Sequence, residues 1–302
     1  TEFKSVEKIY SMMKGKIFNG LSSNKMLLKG VLVVLFIGGS FLIGACGKGG
    51  DTTSPTPPAN QPSVEQWFTK ANEAMLLQKQ SAMLNFSTTA STVNTIDINE
   101  SSTFQTVDGF GYTLTGSSAY VINGMVPAEK SKLLNELFGN SATSIGISYL
   151  RLSIGASDLS PQVFSYNDLP AGQTDVGLTK FSLAADTTDL LPLLKEILAI
   201  NPSIKLMGSP WSAPSWMKSN NSSVGGTLLP QYYSVYAQYF VRYLQAMKAK
   251  GIELDAVTVQ NEPQHGGNNP SMVMSALEQA DFVKNHLGPA FKNAGIGAKI
   301  II

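Results

Sequence analysis

Residues 186–211 read DTTDLLPLLKEILAINPSIKLMGSPW. Leu190, Leu193, Leu194, Ile197 and Leu198 recur at spacings of three and four, which predicts an amphipathic helix with Asp186 or Thr187 as its cap. A short apolar run, IKLMGSP, follows at once and reads as a strand. The same alternation extends outward in both directions. The runs VDGFGYTL, GISYLRLSIG, AVTVQNEP and KIII read as strands. Between them PAEKSKLLNELFG, QYYSVYAQYFVRYLQAMKAKG and SALEQADFVKNHLGPAFKNAG carry helical spacing, with Gly251 and Gly295 where a left-handed helix end is wanted. Strand alternating with helix predicts a parallel α/β sheet. No GxGxxG or GxxxxGK[ST] follows a strand, so a nucleotide-binding doubly wound sheet loses support. The remaining architecture is a (β/α)8 TIM barrel, here represented by about the first four βα units and the start of a fifth strand.

Composition narrows the chemistry. The 302 residues are 43% hydrophobic and only 14% charged, against roughly 25% charged in an ordinary soluble domain. The net charge of +1 argues against a nucleic-acid partner, which would call for a basic excess. One cysteine and two histidines, His265 and His286, exclude an intramolecular disulfide, a cysteine zinc cluster and a multi-histidine metal site, and no cofactor is expected.

The first hundred residues read differently. Val31–Ile43 is an uncharged apolar run preceded by Lys25 and Lys29 and followed by Gly44, Ala45 and Cys46. It is shorter than the roughly 20 residues of a spanning helix. With small residues before a cut site it has the form of a bacterial lipoprotein signal, in which Cys46 receives lipid. Residues 1–46 are therefore expected to be an upstream extension plus signal, with Met12, Met13 and Met26 as possible starts, and the protein to be exported and held on a bacterial membrane only by that lipid. Residues 47–63 form a Pro/Ser/Thr/Gly linker, which keeps a chain extended. Residues 64–106 are expected to contribute strands to a β-sandwich side domain, with Trp67, Phe68, Leu76 and Leu77 as an apolar cluster and 92–107 as strand, turn, strand. The barrel part is 107–302.

Barrel chemistry sits at the C-terminal ends of strands. Arg151 lies on the second strand and Asp158 follows it; the third ends in Ser209–Trp216; the fourth ends in Asn261-Glu262-Pro263. Carboxylates, an arginine, amides and tryptophans suit a sugar, which offers hydroxyls and C–H faces. Pro263 disfavours helix at Glu262, so this residue is expected to be extended, with Thr258, Gln260 and Glu262 on one side. In a partly apolar cleft its carboxyl can protonate a leaving oxygen, and Asn261 can hydrogen-bond a sugar 2-hydroxyl. Other side chains read more plainly. Trp216 and Met217 wall the cleft or pack, His265 is a loop residue and His286 a surface one. Tyr232, Tyr236, Tyr239, Phe240 and Tyr243 form the packing face of the third helix. The stretch 220–228, NNSSVGGTL, is a substrate-facing loop.

Four ordered motifs give a more specific signal than any one of these: Asp108-Gly109-Phe110-Gly111, YLRLSIGASDLS at 149–160, GSPWSAPSWMKSN at 208–220 and TVQNEP at 258–263. Together they resemble glycoside hydrolase family 30, the glucosylceramidase-like family. The resemblance implies a retaining β-glucosidase barrel with a β-sandwich side domain. By it Glu262 is the acid/base, Asn261 the 2-hydroxyl contact, Asp158 and Trp211 glucose-binding, and Arg151 the arginine supporting the carboxylates. Gly116 stands where animal glucosylceramidases have aspartate, and NEPQHGGNNPSM is longer than theirs. Both features look more like the bacterial branch that includes β-1,6-glucanases. The expected substrate is therefore a β-linked glucan or glucoside, of β-1,6-glucan or glucosylceramide type. The alternatives are a β-xylosidase of the same family and a non-catalytic carbohydrate-binding surface lipoprotein. The family's nucleophile is a glutamate on the seventh strand, and Val107–Ile302 is shorter than the roughly 250 residues of a full barrel. The expectation is thus an inactive fragment whose nucleophile lies beyond Ile302 and whose first and fifth strands are open edges.

Overall fold

A computed structural model describes residues 63–89 and 92–302. The signal-like segment with Cys46 and the linker up to residue 62 lie outside the described residues. Contact density divides the chain after Ile98 into two units.

The first unit holds two nested antiparallel ribbons. β1 (Ser63–Val64) pairs with β4 (Leu84–Asn85), and β2 (Trp67–Phe68) pairs with β3 (Gln78–Lys79). Trp67 stands opposite Lys79, whose ammonium lies 5.3 Å from the indole centroid and pairs with Glu65 at 2.6 Å. The strand, turn, strand reading of 92–107 is corrected: these residues form no strand, and Ile96 and Ile98 are exposed. Period-two alternation marks a face that could be buried, but an extended segment becomes a strand only when it joins a ladder.

The second unit is a parallel sheet of five strands in sequential order: β5 (Gly111–Leu114), β6 (Tyr149–Ile154), β7 (Lys205–Pro210), β8 (Ala256–Thr258) and β9 (Lys299–Ile301). The order never reverses, as it would at the switch point of a doubly wound sheet. The sheet also curls. Asp108, just before β5, reaches Lys205 at 3.0 Å and Lys299 at 3.3 Å. Four strand spacings of about 4.8 Å would hold the first and last strands of a flat sheet nearly 20 Å apart. A trough of about 520 Å³ lies inside the curve, lined from β5 to β9 by residues such as Thr113, Arg151, Met207 and Ile301. This is the (β/α)-barrel arrangement, with four βα units and a fifth strand.

Strand alternation assigns the faces. Leu150, Leu152 and Ile154 of β6 and Leu206 of β7 are fully buried under the helices, whereas Arg151 and Ser209 share the inner side. Outside lie α1 (Gly116–Asn123), α2 (Pro127–Phe138), α3 (Leu190–Ile200), α4 (Tyr233–Ala249), α5 (Ala276–Phe282) and α6 (Gly288–Asn293). α3 buries Leu190, Leu191, Leu193, Leu194 and Ile197. Its expected cap is corrected: Asp189 precedes it, without a capping side-chain bond, while Asp186 is buried and accepts a 2.5 Å hydrogen bond from the Tyr166 hydroxyl. The aromatic stripe on α4 packs as expected, with Tyr166 stacked on Tyr239 and Tyr243. The last predicted helix is three pieces. Ser275 and Glu278 close a reciprocal capping box at the start of α5, and a π turn spans Val283–Leu287 before α6. Pro289 has no N–H for the ladder, and the wider turn accommodates that gap. His286, placed on the surface by sequence, is half-buried, its ring against Tyr233 and Phe282 and its Nδ1 3.0 Å from the Ser234 hydroxyl.

Candidate active site

The C-terminal ends of β6, β7 and β8 bring all five expected barrel-site residues into one neighbourhood. Arg151 is the hub. Inward-facing on β6 and half-buried, it donates through Nη2 to Ser209 Oγ at 2.8 Å and to Asn261 Oδ1 at 2.7 Å. Its guanidinium carbon lies 4.6 Å from the centroid of the Trp211 ring, a cation–π contact. Burial pulls the Arg151 pKa down, while the negative charges of Glu262 and Asp158 hold it up. Trp211 is buried and donates its indole N–H to Asp158 Oδ1 at 2.9 Å. A continuous path therefore runs Asp158–Trp211–Arg151–Asn261, with Glu262 next in the chain.

These contacts fix which atoms remain available. Asn261 presents Oδ1 to the arginine, so its amide N–H groups are left to donate outward. Asp158 spends Oδ1 on the indole and keeps Oδ2 as an acceptor. The pair thus offers one amide donor and one carboxylate acceptor on the open end of the sheet.

Glu262 departs from expectation in two ways. Its φ is +44°, in the left-handed region, rather than extended, although Pro263 follows it. The loop imposes this. His265 donates its backbone N–H to the Glu262 carbonyl at 2.8 Å, Met274 does the same to the Pro263 carbonyl at 2.8 Å, and Asn268 Nδ2 donates to Glu262 Oε2 at 2.8 Å. Such non-glycine strain persists only where the surroundings over-determine it, commonly at functional sites. The carboxylate is also exposed, not enclosed in an apolar cleft. The expected shared face of Thr258, Gln260 and Glu262 is corrected too. β8 ends at Thr258, and Gln260 is buried with its amide donating to the Trp211 carbonyl at 2.7 Å.

Sequence reasoning missed the supports: Ser209, Thr258 (2.6 Å from the Ser209 hydroxyl), Gln260 and Asn268. Only Ser209 carried a usable signal, the inner-face parity of KLMGSP. Trp216 packs, donating to the Asn167 carbonyl at 3.0 Å and meeting Tyr232 edge-on. His265 is exposed. Among the described residues no group of three His, Cys, Asp or Glu is placed to hold a metal ion.

A sequentially ordered parallel barrel sheet with carboxylates, an arginine and an indole at its strand ends defines the class: a (β/α) barrel with a polar site on its C-terminal face. Comparison with known proteins names the family. Residues 107–302 match the glycosyl hydrolase family 30 TIM-barrel domain. An endo-1,6-beta-D-glucanase of Neurospora crassa is 41% identical over 212 residues, covering 68% of this chain and 44% of the fungal protein. The lysosomal acid glucosylceramidase of Mus musculus is 33% identical over 210 residues, 66% of this chain and 40% of that one. The solved structure of an endo-beta1,6-glucanase superposes with a TM-score of 0.69 at 39% identity, covering 80% of this chain and 52% of its own. The chain belongs to glycosyl hydrolase family 30. It spans about half the length of these relatives.

Proposed function

We propose that the protein is a retaining β-glucoside hydrolase acting on β-1,6-linked glucan. The observation that carries the reading is the unbroken path from Asp158 through Trp211 and Arg151 to Asn261, set beside Glu262. In this reading Asp158 and Trp211 grip the glucose ring. Asn261, its amide oriented by Arg151, donates to the 2-hydroxyl oxygen, a bond that strengthens as the sugar gains oxocarbenium character. Glu262 delivers a proton to the leaving oxygen and, in the second half of the double displacement, takes one from water. No carboxylate among the described residues is assigned the nucleophile's role. The β-1,6-glucanase relatives, at higher identity than the glucosylceramidase, favour glucan over a ceramide aglycone.

In the full-length enzyme, replacing Glu262 with Gln should lower turnover of β-1,6-glucan by roughly 10²–10⁴-fold. Release of an activated aryl leaving group, which needs no protonation, should be largely spared. Equal turnover of glucan by variant and wild type sinks the assignment, and sugar binding without any turnover points instead to a binding protein.

The same proposal includes export and a lipid anchor at Cys46, supported by the apolar run Val31–Ile43 and the Gly44-Ala45-Cys46 boundary. Cys46→Ser should abolish incorporation of labelled fatty acid and move the protein out of the membrane fraction. Unchanged labelling refutes it.

A further inference from the structure

Glu262 and Asn268 close one turn of chain. The backbone folds back after Glu262, where the His265 N–H meets the Glu262 carbonyl at 2.8 Å, and further on Asn268 Nδ2 donates to Glu262 Oε2 at 2.8 Å. Among the described residues this is the only hydrogen bond to that carboxylate. Its two oxygens are therefore unequal: Oε2 is engaged and Oε1 is open. Glu262 is exposed, and an exposed glutamate is rich in rotamers, so without such a tether the carboxylate would spread over several positions.

Asn268 is only half-buried, but the chain beyond it is firmly held. The stretch 269–274 is clamped to the loop after β7. The Ser223 hydroxyl donates to Asn269 Oδ1 at 2.7 Å, and the Ser271 N–H to the Ser223 carbonyl at 2.9 Å. The Gly225 N–H donates to Ser271 Oγ at 2.9 Å, and the Val273 N–H to the Gly226 carbonyl at 2.8 Å. Met272 and Met274 are fully buried. Lys218, only 2% exposed, ties the same stretch to the glucose grip: its ammonium donates to the Ser271 carbonyl at 2.7 Å and to the hydroxyl of Ser212, next to Trp211, at 2.9 Å. The Met274 N–H then returns the loop to the Pro263 carbonyl at 2.8 Å. The frame that carries Asn268 is thus set before substrate arrives, and a group held in advance spends less entropy at the moment of reaction.

We infer that Asn268 is the positioning residue of Glu262: it holds Oε2, so that Oε1 is the atom that carries and delivers the proton. The inference rests on the acid/base reading of Glu262 and adds the group that orients it. Oε2 can accept from the amide in both states, as the carbonyl oxygen of the acid and as one oxygen of the carboxylate. The tether therefore serves both halves of the reaction. Oε1 gives its proton to the glycosidic oxygen as that oxygen parts from the anomeric carbon. Later it takes a proton from the water whose oxygen bonds to the same carbon.

Kinetics of the full-length enzyme test this. Asn268→Ala should lower kcat on β-1,6-glucan by roughly 10–100-fold, the scale of loss for a misplaced catalytic group, with KM little changed. First-turnover release from an activated aryl β-glucoside, which needs no protonation, should be largely spared. Asn268→Asp is nearly isosteric but cannot donate when ionised, and should lose as much. Asn268→Gln keeps the amide and should recover part of the rate. In a Glu262→Gln background Asn268→Ala should cost nothing further, because the group it orients no longer carries the proton. The inference is overturned if glucan turnover and aryl release fall together, as a loosened loop would make them, if glucan turnover is unchanged, or if the two losses add. If Glu262→Gln itself turns glucan over at the wild-type rate, the acid/base reading falls and the positioning role with it. If Glu262→Gln fails and Asn268→Ala does not, only the positioning role falls.

Discussion

Arg151 shows how much a single side chain decides at the residue scale. It orients the Asn261 amide, stacks on Trp211 and shares the Ser209 hydroxyl. A lysine keeps the charge but lacks the planar fork, so it cannot hold an amide and lie flat on an indole together. Arg151→Lys should therefore cost about 1.5–3 kcal/mol of glucoside affinity by calorimetry, the range for hydrogen bonds to charged groups. Wild-type affinity in the variant contradicts the hub role. Asp186 makes a separate, thermodynamic prediction. Burial raises its pKa from 3.8 to about 6, against the opposing pull of the Tyr166 hydrogen bond. The folded protein then binds this proton more tightly than the unfolded chain does. The protonated form carries no penalty below about pH 4, and stability falls as pH rises from there to about 6. At about 1.4 kcal/mol per unit, the loss is on the order of 3 kcal/mol. Asp186→Asn keeps an acceptor for Tyr166 without the buried charge. In urea titrations it should outlast wild type at pH 7 and converge with it at pH 4; parallel curves across that range contradict the assignment. The five strand-end residues were legible in sequence because they fall in four ordered motifs that resemble one family. Ser209, Gln260 and Asn268 were not, since serine and amides are ordinary loop residues until their partners are known. The left-handed Glu262 was read wrongly because a proline rule is local, whereas the turn that His265 closes on the Glu262 carbonyl sets the backbone there.

Elements were easier to read than their ends. Every strand of the barrel sheet and the helices α2, α3 and α4 fall within the stretches that periodicity marks. α1 was missed: its eight residues bury only Ala119, so they leave no apolar stripe, and the Thr115 cap accepting from the Ser118 N–H was the available cue. The last helix looked continuous because its apolar spacing runs through Pro289. At this scale Gly111 is the sharpest position. A Cβ there would fall 1.4 Å from the Tyr149 carbonyl oxygen, so β5 can approach β6 only without a side chain. Gly111→Ala should detach β5 or shift its register, at a cost of about 3 kcal/mol or more, beyond ordinary overpacking because the clash is with backbone. Hydrogen exchange at the Leu114 and Leu152 amides would register the loss, and unchanged protection contradicts it. Ser275→Ala should be milder, about 1 kcal/mol for the lost capping box.

For the whole molecule, strand order and curvature matter more than any local contact. Sequential parallel pairing was legible from alternating elements. The curl was legible only as part of the barrel expectation, since no sequence pattern states that residues 108 and 299 meet. Asp108 is half-exposed and its carboxyl is held below the ordinary range mainly by Lys205 and then Lys299. Exposed ion pairs contribute little, so Asp108→Asn should cost no more than about 1 kcal/mol, and less in high salt. A larger, salt-independent loss shows that something other than charge holds the strands there. The position of this tie has a further consequence. It joins the N-terminal ends of the strands, whereas Arg151, Trp211, Asn261 and Glu262 gather toward the other end. The contacts at the base and those at the rim share no residue, so an exchange of rim loops leaves the base of the sheet as it is.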